Sequence, residues 1–234
     1  MISWAGKSSD LLGVVVEHYP VRVVPERSLT ETEIAGRNGA LVQFDGNWNN
    51  YTQEYDIYIS AEKTGLVRAA RAVSEWLASP VGYQRLEDSY EPDVYRMAYY
   101  EGGQDIESIL NRFGRATIEF VCKPQRFLKS GEVARTFTAA GTLTNITRMD
   151  ALPVITVYGS GAGTVMVNDI VVTISEIDGY IVLDSEMMDA YKGTVNKNPY
   201  ISAAEFPVLK AGNNSISFTG GVSSLEIVPH WWTI

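Results

Sequence analysis

The stretch that decides the fold of the second half is Val154-Ile155-Thr156-Val157-Tyr158, Gly159-Ser160-Gly161-Ala162-Gly163, Val165-Met166-Val167, Asn168-Asp169, Ile170-Val171-Val172-Thr173-Ile174. Short runs rich in β-branched residues alternate with turn formers. Asn168-Asp169 is a two-residue hairpin signal, so residues 165–167 and 170–174 pair across it. The glycine run reads as a loop between strands. It lacks the spacing of a dinucleotide fingerprint, because Thr164 stands where glycine is needed and no helix pattern follows. Working outward, residues 180–183, 216–218 and 225–228 are further short strands. Regularly spaced strands with turns between them predict a β-sandwich.

The first half also reads as strands, with one helix. Residues 11–16 form an apolar run, and residues 21–24 form a strand that Pro25 stops. A polar stretch, residues 26–33, contains Arg27. Gly36-Arg37-Asn38-Gly39 predicts a turn that closes a hairpin, followed by a strand over 41–44 that Asp45-Gly46 ends. From 51 to 60 the chain alternates. Tyr51, Tyr55, Ile57 and Ile59 share one face with Gln53 as the exception, and Thr52, Glu54, Asp56 and Ser60 share the other. That pattern is a half-buried antiparallel strand. Residues 63–79 carry Leu66, Ala69, Ala70, Val73, Trp76 and Leu77 at helical spacing, and Pro80 forbids continuation. A segment rich in Tyr and acid covers 83–97, and residues 117–122 form another strand. The polar segment 129–135 is the best boundary, giving domains 1–133 and 134–234.

Composition narrows the function. The chain has 234 residues, 45% hydrophobic and 20% charged, which is ordinary globular composition. A net charge of −9 argues against nucleic acid as the main partner, since phosphate binding needs a basic face. The single cysteine, Cys122, excludes an intramolecular disulfide framework and reads as a buried small hydrophobe. No apolar stretch is long enough to insert into a membrane as a helix, and the first residues do not read as a secretion signal.

Candidate chemistry is sparse. Gly6-Lys7-Ser8 lacks the rest of a phosphate-binding loop. His18 and His230 lie in no nucleophile motif, and no calcium-binding loop occurs. Acid pairs such as Glu87-Asp88 or Glu91 with Asp93 are candidates for glycoside hydrolysis, but nothing singles them out among 28 acids. No catalytic residue, cofactor or metal is therefore expected. Trp231 and Trp232 with Tyr180 and Tyr191 are candidates for a sugar-stacking platform; the competing reading places these aromatics in the sandwich core and edges. Many tyrosines and no catalytic signature fit an assembly subunit.

The ordered blocks of the sequence resemble the distal tail protein family of long-tailed, siphovirus-type bacteriophages. The blocks are Gly6-Lys7-Ser8 through Glu17 with Tyr19-Pro20; Pro25-Glu26-Arg27 followed by Ile34-Ala35-Gly36-Arg37-Asn38-Gly39-Ala40-Leu41; and Trp76-Leu77 with Leu86-Glu87-Asp88 and 93–98. Then come residues 118–124 and, in the second half, 152–155, 181–185, Phe206-Pro207 and 212–216. The resemblance implies an N-terminal, β-rich, ring-forming domain with one helix, followed by a C-terminal galectin-like β-sandwich. It implies a homohexameric hub ring at the distal end of the virion tail. One ring face would join the tail tube protein and the other the tail-associated or receptor-binding proteins, around a channel that passes DNA. Gly36, Arg37 and Gly39 are the matched motif positions, at an internal turn or a subunit interface. The alternative function is a carbohydrate-binding sandwich module for host attachment.

Overall fold

The alternation over 51–60 becomes the spine of the first unit. In the computed structural model, which describes residues 1–60, 65–103, 107–109 and 113–234, Tyr51, Gln53, Tyr55, Ile57 and Ile59 are all buried, and their neighbours Thr52, Glu54 and Asp56 are exposed. The chain divides into two compact units, Met1–Arg126 with Ile234, and Phe127–Thr233.

In the first unit the strands are β1 Ile2–Trp4, β2 Lys7–Ser8, β3 Val14–Val16, β4 Arg27–Thr32, β5 Leu41–Trp48 and β6 Tyr51–Ser60. Helix α1, Leu66–Ala78, follows, then β7 Gln84–Asp88, β8 Val94–Tyr99, β9 Glu107–Ile109 and β10 Phe113–Leu128, whose last two residues belong to the second unit. One sheet has the order β2-β1-β7-β8-β10-β6-β3, with β9 also on β10. The expected helix over 63–79 is found from Leu66; Lys63 and Thr64 lie outside the described residues. Its buried stripe, Leu66, Ala69, Val73, Trp76 and Leu77, joins Trp4, Tyr55, Phe120 and Cys122 in one core. The Trp4 indole N–H donates to the Leu77 carbonyl near the helix end (3.3 Å), tying helix to sheet. The run over 11–16 is a strand only from Val14; Ser9–Leu12 is a 3-10 turn.

The second unit contains β11 Arg135–Phe137, β12 Gly141–Asn145, β13 Val154–Val167, β14 Ile170–Asp184, β15 Asp189–Lys192, β16 Val195–Asn196, β17 Ile201–Ala203, β18 Gly212–Val228 and β19 Trp232–Thr233. Here the glycine-run expectation is corrected. Residues 159–163 are not a loop but lie inside one strand, β13, at a register shift against both β14 and β18. Across this bend the sheet curls over. Ile155 and Val157 before it and Val165 and Val167 after it fall in one core. One layer pairs β11, the end of β18, the start of β13, the end of β14, β15 and β16. The other pairs β12, the start of β18, the end of β13, the start of β14 and β17.

The bend needs glycine for space. A methyl group on Gly159 would overlap the Gly221 carbonyl, and one on Gly221 would overlap the Ser160 carbonyl. A Cβ on Gly163 would sit 2.7 Å from a Val222 methyl. Two backbones therefore cross in van der Waals contact, which any larger residue prevents. The architecture is mainly β, with one helix among the described residues, as the sequence implies.

Candidate functional site

Strands β4 and β5 pair only with each other and form a two-stranded arm. Leu29 lies opposite Phe44 and Glu31 opposite Val42, so these four share one face; Thr30 opposite Gln43 and Thr32 opposite Leu41 share the other. The first face is apolar and open: Leu29 is 47% exposed, Val42 54% and Phe44 41%. The Arg27 guanidinium lies over both Phe44 and Trp48, 5.2 and 4.7 Å from their ring centroids. The second face is held by Asp45, whose carboxylate accepts from the Ser28 and Thr30 hydroxyls (2.9 Å each). The polar stretch 26–33 is thus a strand, because neither face of the arm is buried within the chain and alternation carries no core signal there.

Gly36, Arg37 and Gly39 stand together at the tip. Both glycines have φ of +80°, and nothing lies within 4 Å of where a Cβ would be, so backbone conformation alone requires glycine. The Arg37 amide donates to the Ile34 carbonyl (3.1 Å). The expected hairpin is present, but its connection runs from residue 33 to 40 rather than closing on Asn38-Gly39.

The root of the arm is anchored by buried polar side chains. Residues 21–24, expected as a strand, pair with no strand. Their carbonyls are taken by side chains instead: Gln53 Nε2 donates to Val21 (3.0 Å) and Arg126 Nη2 to Val23 (2.6 Å). Gln53 is 2% exposed, which explains a polar residue on the inward face of β6. Arg22 Nη1 donates to Glu91 (2.5 Å), and the Glu91 carboxylate also meets Arg96 and lies 3.6 Å from Arg126 Nε. Arg96 Nη1 donates to Asp88 (2.9 Å), which also accepts from the Tyr55 hydroxyl (2.8 Å) and from the amides of Tyr90 and Glu91. The Arg96 Nε–H donates to the Tyr51 hydroxyl (3.2 Å).

Burial pushes the Tyr51 phenol up to about 12 and the Cys122 thiol up to about 12, and raises Tyr55 well above the ordinary value. Burial also lowers the pKa of Arg126. The adjoining cavity holds about 80 Å³. That is well short of the ~300 Å³ of a small-molecule site; a second cavity beside it, lined by His18, Val23, Glu54 and Asp56, holds about 280 Å³. No cluster of three or more His, Cys, Asp or Glu suited to a metal occurs among the described residues.

The four aromatic candidates of the second unit separate. Trp231 is 3% exposed and packs in the core, so it presents no platform. Trp232 is partly buried against the same core, with its indole N–H donating to the Asp150 carbonyl (2.8 Å). Tyr180 and Tyr191 do share a sheet face, and Tyr158, which sequence reading missed, joins them there.

Residues 17–122 match the family described as Phage tail protein RIFT-related domain. The match covers less than half of the chain. Over its whole length the chain also has the fold of a solved distal tail protein. The crystal structure of the Dit protein (gp 19.1) of phage SPP1, described as a paradigm of the hub adsorption apparatus in phages infecting Gram-positive hosts, superposes with a TM-score of 0.78. The alignment covers 97% of this chain and 96% of that one, at 16% identity. The structure of the phage P2 baseplate in its activated conformation with Ca aligns at a TM-score of 0.49 and 9% identity, over 92% of this chain and 89% of that one. No curated protein matches the chain in sequence. Family match and fold together bear out the resemblance to the distal tail proteins.

Proposed function

We propose that the chain is a structural subunit of the phage tail tip, which assembles through its first unit into a hexameric ring. The ring links the tail tube to the adsorption apparatus and leaves a channel for DNA. The observation that carries this reading is the β4–β5 arm. An isolated two-stranded hairpin is at best marginally stable in water. This one exposes Leu29, Val42 and Phe44 on one face while its root is fixed by Gln53 and Arg126. A rigidly rooted arm with an open apolar face fits a surface that a neighbouring copy covers. Arg37 at the tip is then offered to an acid across that boundary, on a chain of net charge −9. The count of six, the two ring faces and the distal position rest on the family resemblance. An acidic channel also suits DNA passage, because like charges do not adhere.

The test is mass by light scattering with negative-stain images of the same peak. The ring predicts six times 25.8 kDa, about 155 kDa, and Val42→Ser with Phe44→Ser shifts the population to folded monomer. A protein that stays monomeric at every concentration, both alone and with purified tail tube protein, would overturn the ring. Retention of DNA by an assembled ring would sink the channel argument.

A further inference from the structure

We propose that Asn38-Gly39 at the tip of the arm is a self-modifying site, where Asn38 deamidates and turns the tip from cationic to zwitterionic. The reaction has three structural demands. The residue after the asparagine must let its amide nitrogen approach the side chain, which glycine does best. Water must reach the asparagine. Neither reacting group can be held elsewhere. Asn38-Gly39 is the one Asn-Gly pair in the sequence. Asn38 is exposed, and nothing lies within 4 Å of where a Gly39 Cβ would be. The Asn38 side chain and the Gly39 amide enter no hydrogen bond among the described residues. Both lie in the connection outside β4 and β5, so no ladder resists their rotation.

The Gly39 amide nitrogen loses its proton to hydroxide and attacks Asn38 Cγ. The N–Cγ bond forms and the Cγ–Nδ2 bond breaks. Nδ2 takes a proton from water and leaves as ammonia, which restores the hydroxide. One water molecule then opens the five-membered succinimide at either carbonyl, giving aspartate or isoaspartate. The net change is amide plus water to carboxylate plus ammonium, with no oxidant or reductant.

The fold withholds this chemistry from related pairs. Asp45, before Gly46, has its carboxylate held by the Ser28 and Thr30 hydroxyls (2.9 Å each). Asp178, before Gly179, lies in β14 opposite Ser160 and accepts from Lys192 (3.1 Å). Asn214, before Ser215, is fully buried, and its side-chain amide donates to the Leu143, Lys210 and Gly212 carbonyls.

The product puts a carboxylate beside Arg37 and adds one negative charge to a chain of net charge −9. Isoaspartate also lengthens the main chain by one carbon in a turn that Gly36 and Gly39 hold at φ of +80°. In the proposed ring, Arg37 meets an acid of a neighbouring copy, and a carboxylate on its own tip competes for it. An aged, unassembled subunit would then join less readily than a fresh one. This consequence rests on the ring; the chemistry does not.

The full chain is aged at mildly alkaline pH, folded and, in parallel, unfolded in guanidinium. Cleavage after Glu33 and Glu54 releases one peptide holding Asn38, Asn47, Asn49 and Asn50. Mass spectrometry then times each conversion, and chromatography separates isoaspartate from aspartate. Conversion of Asn38 in the folded chain within about tenfold of its rate in the unfolded chain, and faster than the other three asparagines, supports the proposal. A folded rate lower than that, or no faster than the other three, overturns it. Asn38→Gln, which keeps the amide and removes the five-membered ring, should abolish the product; persistence of the same product overturns the assignment to Asn38. Asn38→Asp mimics the product, and light scattering reads its effect. A smaller assembled fraction than the parent chain supports the consequence for assembly, and an equal fraction overturns it. A parent chain that never assembles overturns the ring and that consequence together, while the conversion rates still decide the chemistry.

Discussion

In the first unit the buried polar side chains include Arg96, Arg126, Asp88 and Gln53, and the side chains left open on the arm include Leu29, Val42 and Phe44. In the second unit the buried polar residues are Asn145, Asp184, Ser185 and Asn214. Three of these pin turns. Asn145 accepts from Thr147, Asp184 from the Met187 amide and Asn214 from the Lys210 amide. Buried charge is a costly way to hold a backbone, because desolvation offsets much of the attraction. The first unit uses it where a segment without strand partners must be held at a fixed angle. The second unit buries one carboxylate, Asp184, which caps a turn, and its strands are held by long ladders. Its geometry is set instead by the absence of side chains at one crossing. Positioning by charge leaves an element free to project; positioning by close backbone approach leaves none.

The comparison breaks most readily at Arg96. Arg96→Ala strips a buried carboxylate, Asp88, of its cation and costs about 3–5 kcal/mol, read by chemical denaturation. Hydrogen exchange resolved by peptide should place the loss in residues 1–126. By contrast, Arg126→Met should cost about 1 kcal/mol or less. The Arg126 Nε and Nη1 atoms have no hydrogen-bond partner, so removing this charge relieves a desolvation cost. If the two variants are equally damaging, the network is not organised around Asp88.

Gly221→Ala tests the other unit. Forcing a methyl into the Ser160 carbonyl should cost about 1–3 kcal/mol, with faster exchange confined to the second unit. A neutral result would mean that the two backbones separate easily.

Alkaline pH separates the units without mutation. Tyr51 and Cys122 stay protonated in the fold to about pH 12, against ordinary values of 10.0 and 9.0. Above pH 9 the unfolded chain releases these protons and the folded chain does not. Their contribution is thus complete below pH 9 and lost as pH rises through 12. Each tenfold difference in proton affinity between folded and unfolded chain contributes roughly 1.4 kcal/mol. Melting followed from pH 8 to 11.5 should show the first unit weakening first, and tyrosinate absorbance should lag furthest for Tyr51 and Tyr55. The smallest expected effect is Phe44→Ser, within about 0.5 kcal/mol for the monomer, since the residue is exposed; its effect is expected in assembly.

What could be read in advance follows the same divide. The strand over 51–60 and helix α1 were legible because one face is core and the other water, so the period shows. The strand over 27–32 was not, because both faces of the arm are open and no period forms. Residues 21–24 look like a strand by composition. Their carbonyls go to Gln53 and Arg126, distant in sequence, which no local pattern records. The inward Gln53 was the one visible trace. Gly36 and Gly39 announced their turn, because positive φ is a local demand. The glycines of 159–163 were misread as a loop, since a strand that bends and a strand that stops use the same residue. Trp231 and Trp232 are adjacent and aromatic, yet depth cannot be read from identity; Tyr158 gave no sign of facing Tyr180.

The curled ladder of the second unit also imposes an order on its folding. Strands β13 and β14 are joined across Asn168-Asp169 and can pair as soon as both exist. The other edge of β13 is covered only by β18, and β11 pairs with that same strand, Arg135 opposite Ile227. Such distant pairings are slow, because a long loop must close before any bond repays it. On the ribosome, β13 therefore waits with one edge bare until residues 212–228 emerge. That interval, rather than the finished fold, is when the chain is most open to pairing with the wrong copy of itself.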